Sequence, residues 1–205
     1  MTVFEDLVRT EAQLREIIAD PRARAWGKEI PELDDHCRAF IAHSPFFVLA
    51  TTGPRATPRG GPAGFVRVVD AGHLAFADYT GNRRADSHRD ILRDDAVQLT
   101  FFVPRVGETL RVDGTAVLTT DPALLESLTT GGDRPPRLAV GVTVERAFVH
   151  CAKALRRSGL WEPERWPEVD DMPSAAAMLR DHVADGRTTD DVQADLDESY
   201  TRRLW

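Results

Sequence analysis

Ala96-Val-Gln-Leu-Thr-Phe-Phe-Val-Pro104 and Glu108-Thr-Leu-Arg-Val-Asp-Gly-Thr-Ala-Val-Leu-Thr-Thr120 are separated by only three residues. Both stretches are rich in β-branched and aromatic residues and alternate apolar with polar side chains, the period of a strand with one buried face. The turn from Pro104 to Gly107 is far too short for a crossover helix, so the two strands run antiparallel. Upstream, FFVLATT (from Phe46), GFVRVVD (from Gly64) and HLAFADY (from His73) carry the same signal, the last two joined by a turn at Asp70-Ala71-Gly72. Downstream, LAVGVTVERAFVHCAKA (from Leu138) reads as one long strand region. Five or six strands with mostly short connections predict a largely antiparallel sheet closed into a barrel. Strands do not alternate regularly with helices, which argues against a doubly wound fold.

Helices flank this block. VFEDLVRTEAQLREII (from Val3) has apolar residues at helical spacing and is stopped by Asp20-Pro21; ELDDHCRAFIAHS (from Glu32) ends before Pro45. NRRADSHRDILRDD (from Asn82) reads as a polar helix, and DPALLESLTT as a helix with Asp121 as N-cap and Pro122 in its first turn. The C-terminal stretch is helical in two pieces broken at Gly186. The expected organisation is one domain overall: a helical region over 1–44, a barrel over 45–166 and a helical extension over 167–205.

Of 205 residues, 42% are hydrophobic and 29% charged, an ordinary globular balance. The net charge is −7, and the segment from Glu162 onward carries all of it, leaving the first 161 residues balanced. Without a large basic face, nucleic acid is a poor partner. No apolar run reaches the ~20 residues of a membrane helix. The charged, helical N-terminus has no signal-peptide core, so the chain reads as cytoplasmic. Cys37 and Cys151 read as free thiols. The six histidines are scattered, and no metal site is expected.

Local arginine clusters in a neutral body suit a small anion. Thr57-Pro-Arg-Gly-Gly-Pro-Ala-Gly-Phe65 offers Arg59 to a phosphate. In the run Gly60, Gly61, Pro62, Ala63 and Gly64, three glycines within five positions strip side chains from one patch of backbone and would let a flat ligand lie close. The same residues also suit a Gly/Pro turn with a solvated arginine. The segment is neither a P-loop nor a dinucleotide fingerprint. In Ala77-Asp-Tyr-Thr-Gly-Asn-Arg-Arg-Ala-Asp-Ser87 a strand ends and a helix begins near Asn82, with Arg83 and Arg84 in its first turn. Cations there oppose the helix dipole, and a bound phosphate would relieve the conflict. Pairing with Asp86 and Asp90 would relieve it too. Phe148-Val-His-Cys-Ala-Lys-Ala-Leu-Arg-Arg-Ser-Gly-Leu-Trp161 is dense in donors and ends in a ring that could stack or simply cover the core. Thr109, Arg111 and Asp113 share one strand face, exposed or functional.

In order, these segments resemble the pyridoxamine 5′-phosphate oxidase-like FMN-binding split-barrel superfamily, over roughly Asp34 to Trp166. The landmarks are DDHCRAFIAHSPFFVLAT, TPRGGPAGFVRV, LAFADYTGNRRADSHRDIL, ETLRVDGTA and FVHCAKALRRSGLW. The resemblance implies an α+β, mainly β fold: a six-stranded antiparallel split barrel with peripheral terminal helices, forming a homodimer with FMN at the subunit interface. It implies that Arg59 to Gly64 lie along the flavin ring. Tyr79, Thr80, Asn82, Arg83, Arg84 and Ser87 would hold phosphate and ribityl chain. Thr109, at the family's usual glutamine position, and Arg111 would reach the flavin from the partner chain. Lys153, Arg156, Arg157, Ser158 and Trp161 would close the site.

The chain departs from pyridoxamine phosphate oxidases proper. Acidic helices ending YTRRLW stand where those enzymes carry a basic substrate-gripping segment, and a glycine-rich motif replaces their arginine-to-lysine phosphate motif. The expected function is an FMN-dependent oxidoreductase acting on a small molecule other than a B6 vitamer, with the flavin supplying the redox chemistry. The alternatives are a non-catalytic flavin carrier or sensor, a haem-binding relative using His150 or His43, and a deazaflavin-using relative.

Overall fold

The computed structural model describes residues 3–53, 55–79, 81–130 and 135–202. Seven strands appear among them: β1 (Phe46–Thr51), β2 (Arg55–Gly60), β3 (Arg67–Val68), β4 (His73–Ala77), β5 (Ala96–Phe102), β6 (Thr109–Thr119) and β7 (Ala139–His150). They form one sheet in the order β2-β1-β5-β6-β7-β4-β3, antiparallel at every step. The expected count of six is corrected to seven. The added strand is β2, which runs into the first half of the segment read as a glycine-rich connection. At the sheet edge, paired only with β1, it tolerates Pro58 and glycine. Conversely, GFVRVVD yields only the two-residue β3. Gly64 has φ +82°, and the adjacent Phe65 and Val66 are both buried, so the period-two pattern fails there.

The sheet curls around one core. β1 and β4 stand four strand positions apart, roughly 19 Å in a flat sheet at ~4.8 Å per strand. Yet the Phe47 and Phe76 rings meet edge-on with centroids 4.9 Å apart. Phe47 also meets Phe101 at 5.1 Å and stacks on Phe65 at 5.7 Å. Leu49, Leu99, Leu110 and Val112 fill the same interior, each with no exposed surface. Each such side chain contributes ~1.5–3 kcal/mol by leaving water. The two longest strands, β6 and β7, carry a bulge at Asp113/Gly114. A Cβ on Gly114 would lie 2.0 Å from the Thr143 carbonyl oxygen, so only glycine fits.

The helix α1 (Glu11–Ile17) is shorter than expected and buries nothing; α2 (Ala23–Trp26) is a single turn. After it, Ile30 exchanges two backbone hydrogen bonds with Ala147 of β7, at 3.0 and 2.8 Å, and Lys28 Nζ donates to the Val149 carbonyl at 2.8 Å. α3 (Asp35–His43) starts at Asp34, whose carboxylate accepts from the Cys37 amide at 2.8 Å. It buries Cys37 and Ile41, four residues apart, against the sheet. Burial, then the Asp34 carboxylate, pushes the Cys37 thiol up to about 11, so it is inert. Both cysteines are free, Cys151 being exposed. α4 (Asp86–Ile91) and α5 (Pro122–Ser127) lie between strands, with α5 capped by Asp121. α6 (Lys153–Ser158) follows β7 directly, and α7 (Ala175–Val183) and α8 (Thr189–Arg202) form the two C-terminal pieces on either side of Gly186, φ +85°. No helix among the described residues is long and apolar enough to cross a membrane.

Candidate functional site

A cleft of about 380 Å³ opens between edge strand β2, the end of β4 and the start of α4. Arg59 lies on the β2 face that is in register with Phe47, so its side chain turns toward the interior side of the sheet. There it is held on both sides: Nη1 donates to Asp78 Oδ1 at 2.9 Å and Nη2 to Ser87 Oγ at 2.7 Å. Its Nε is buried with no protein partner. Ser87 is buried in the first turn of α4, and His88, beside it, brings Nε2 within 3.0 Å of the same Asp78 oxygen, without hydrogen-bond alignment. Burial works against ionisation of Asp78 and is the largest influence on it. His88 and Arg59 together outweigh it and hold the carboxyl below the usual carboxylate range.

The opposite wall is Tyr79, Gly81, Asn82, Arg83 and Ala85. The Tyr79 hydroxyl is tied to the carbonyls of Leu128 and Thr130, each at 3.2 Å, and to the Thr130 hydroxyl. Helix α4 begins at Asp86, four residues later than expected from the sequence. Arg83 and Arg84 therefore lie in the loop before it, and the dipole conflict does not arise. Arg84 is neutralised locally: its Nε donates to Asp86 at 2.8 Å and its amide to the Asn82 side chain at 3.0 Å. Asp90 pairs instead with Arg55, both carboxylate oxygens lying 2.7 Å from Nη1, and with the Thr51 hydroxyl. Arg83 is exposed at the cleft and has no ion pair among the described residues. It sits at φ +62° and Ala85 at φ +52°, backbone that costs a non-glycine residue about 1–2 kcal/mol each. The charged side chains of the lining are Arg59 and Arg83 on one side of the balance and Asp78 and Asp86 on the other, with His88 beside them.

The structure thus brings together Arg59, Tyr79, Asn82, Arg83 and Ser87 of the residues singled out from the sequence. Thr80 lies outside the described residues. Gly60 ends β2, and Gly60, Gly61, Pro62, Ala63 and Gly64 do not line the cleft. Two of these glycines answer to packing: a Cβ on Gly61 would meet Phe65 at 2.8 Å, and Gly64 needs its positive φ to turn Phe65 inward. Thr109 and Arg111 are on β6, with Thr109 buried and in register with His150, and Arg111 in register with Phe148. Lys153, Arg156, Arg157 and Ser158 lie on α6, which packs on the β5–β6 turn, and Trp161 Nε1 donates to the Val106 carbonyl there at 2.9 Å. These residues occupy a second region, apart from the cleft lining. Sequence reasoning missed Asp78 and His88. Both lie in the stretch LAFADYTGNRRADSHRDIL, but only the fold sets β2 against them. His150 is exposed at the end of β7, and His43 is exposed at the end of α3. No group of three metal-ligating side chains is present among the described residues.

Comparison with known proteins completes the description. The family described as pyridoxamine 5′-phosphate oxidase matches residues 33–151. No curated protein matches. Among solved structures, HupZ of Group A Streptococcus is 20% identical over 57% of this chain and 92% of its own, with a TM-score of 0.44. A Clostridium acetobutylicum protein related to general stress protein 26, of the pyridoxinephosphate oxidase family, is 16% identical over 57% of this chain and 86% of its own, TM-score 0.43. An FMN-binding protein of Syntrophomonas wolfei is 7% identical over 55% and 86%, TM-score 0.40.

Proposed function

Because the chain belongs to the pyridoxamine 5′-phosphate oxidase family, whose match spans residues 33–151, we propose that it binds FMN as a homodimer and acts as an oxidoreductase on a small molecule. The observation that carries this reading is the cleft at β2. Its size is that of a ligand pocket, and it holds two guanidinium groups with binding capacity left. Arg59 is pre-positioned by Asp78 and Ser87 and keeps a buried Nε without a partner among the described residues; Arg83 is solvent-facing and has no ion pair among them. Such a donor set fits a phosphomonoester. Arg59 and Arg83 would bind the phosphate oxygens, Ser87 and Asn82 would add neutral donors, and Asp78 would hold Arg59 in place.

FMN, when bound, supplies hydride or single-electron transfer; the protein supplies position, exclusion of water and the electrostatics of the ring. The second group of residues, Thr109, Arg111, Lys153, Arg156, Arg157, Ser158 and Trp161, stands outside the cleft of its own chain. In this reading a partner subunit delivers that end of β6 and α6 to the flavin. The acidic C-terminal extension, in place of a basic substrate grip, supports a substrate other than a B6 phosphate ester.

The test is a titration of the purified chain with FMN and with riboflavin, followed by flavin fluorescence. Tight FMN binding with much weaker riboflavin binding is the expected result; equal binding of the two would remove the phosphate from the site. Mixing the reduced, FMN-loaded protein with a panel of small-molecule acceptors then separates an oxidoreductase, which is reoxidised rapidly by a member of the panel, from a flavin carrier, which is not.

A further inference from the structure

A second cationic cluster lies on the outward face of the sheet, where β6 and β7 pair. Arg111 and Phe148 are directly opposite each other, and the Arg111 guanidinium sits 5.0 Å from the Phe148 ring centroid. Lys28 Nζ, from the segment before α3, also stands 5.0 Å from that centroid. His150 is two residues further along the same face of β7. Partial burial of its ring, and then Arg111 and Lys28, lower its pKa from the ordinary imidazole value, and the ring offers an N–H to a ligand.

This cluster lacks the one thing that the other partly buried arginines have. Arg55 reaches Asp90 at 2.7 Å and Arg59 reaches Asp78 at 2.9 Å; even the exposed Arg146 reaches Asp113 at 2.6 Å. Among the described residues Arg111 has no ion pair, and its buried Nε has no hydrogen-bond partner. The neighbouring carboxylates are already engaged: Asp113 by Arg146 and Gln98, Glu29 by Arg146. Two like charges gathered on one ring, with a buried donor left over, are an arrangement that an arriving anion stabilises. The Phe148 ring offsets part of the repulsion through cation–π attraction but fills no donor.

We propose that Lys28, Arg111 and His150 form a subsite for the oxyanion of a small ligand, a carboxylate or a phosphoryl group. The planar guanidinium matches either oxyanion with two parallel hydrogen bonds, and the ammonium and imidazole N–H complete the contact. None of the three residues lines the β2 cleft of its own chain; the proposed function brings Arg111 to a partner's flavin, so this subsite deepens that reading, and measuring anion binding with and without FMN keeps the two apart.

The experiment follows the His150 ring resonances by NMR while benzoate or inorganic phosphate is added to the chain, with and without FMN. Saturable shifts with benzoate alone identify a carboxylate subsite, and with phosphate alone a phosphoryl subsite. Both Arg111→Gln and Lys28→Met should weaken the binding about tenfold or more, while circular dichroism confirms that each variant is folded. Three results would overturn the proposal. One is the absence of saturable shifts with either anion. Another is binding that survives both substitutions unchanged. The third is dissociation of a dimer by Arg111→Gln without small-anion binding, which would make the partner a carboxylate of a second copy.

Discussion

Removing the Arg83 side chain isolates the phosphate contact from the fold. Arg83 is exposed and unpaired among the described residues, so Arg83→Ala should change stability by no more than about 0.5 kcal/mol. A charge-assisted hydrogen bond is worth about 1.5–3 kcal/mol, which corresponds to a roughly 10- to 150-fold rise in the Kd for FMN. The left-handed backbone at φ +62° provides an internal control. Alanine keeps that conformational cost, whereas Arg83→Gly relieves about 1 kcal/mol of it and should melt higher. Both variants should lose FMN affinity to a similar degree although only the glycine variant gains stability. Riboflavin, which has no phosphate, should bind the wild type and both variants alike. The assay is quenching of flavin fluorescence at fixed ionic strength, because guanidinium–phosphate attraction is screened by salt. An unchanged FMN Kd in Arg83→Ala, or an equal loss for riboflavin, would refute the placement of the phosphate.

Other consequences can be checked without the cofactor. Asp78 is held below the ordinary carboxylate range, so its contribution to stability is present above the unfolded value near 3.9 and disappears as pH falls through the lower folded value. Urea midpoints measured from pH 6 down to pH 3 should therefore fall more steeply for the wild type than for Asp78→Asn; parallel curves would show that the Arg59 and His88 pairing contributes nothing. Asp34→Ala removes the N-cap of α3 and should cost about 1 kcal/mol, a drop of roughly 2–4 °C in Tm by calorimetry. Phe47→Ala empties the meeting point of Phe65, Phe76 and Phe101 and should cost about 3–5 kcal/mol in chemical denaturation.

The strands with a clean period of two were legible from the residues. β5, β6 and β7 pair as their alternation and short turns imply, and β1 and β4 lie where FFVLATT and HLAFADY place them. β2 was hidden because Arg-Ala-Thr-Pro-Arg-Gly carries no apolar alternation; an edge strand with one partner needs none. The start of α4 was misplaced because Arg83 and Ala85 adopt positive φ, which nothing about arginine or alanine announces. At the site, Arg59 and Arg83 stood out as local cations beside glycine. Asp78 and His88 did not, since an acid and a histidine near a strand end are unremarkable until β2 is folded against them. The Lys28–Phe148–Arg111 cluster was out of reach for the same reason: Lys28 and Phe148 are 120 positions apart in the chain.

The short stretch from Lys28 to Ile30 does more than lead into α3. β4 covers one flank of β7 only as far as Thr143; beyond it, Ile30 occupies both hydrogen-bonding groups of Ala147 and Lys28 reaches the carbonyl of Val149. Bare, that flank would be a template onto which a strand of another molecule could add. The arm is a gasket. A version trimmed back to residue 27 keeps the seal, whereas one trimmed past Ile30 leaves a sticky margin on the longest strand of the protein.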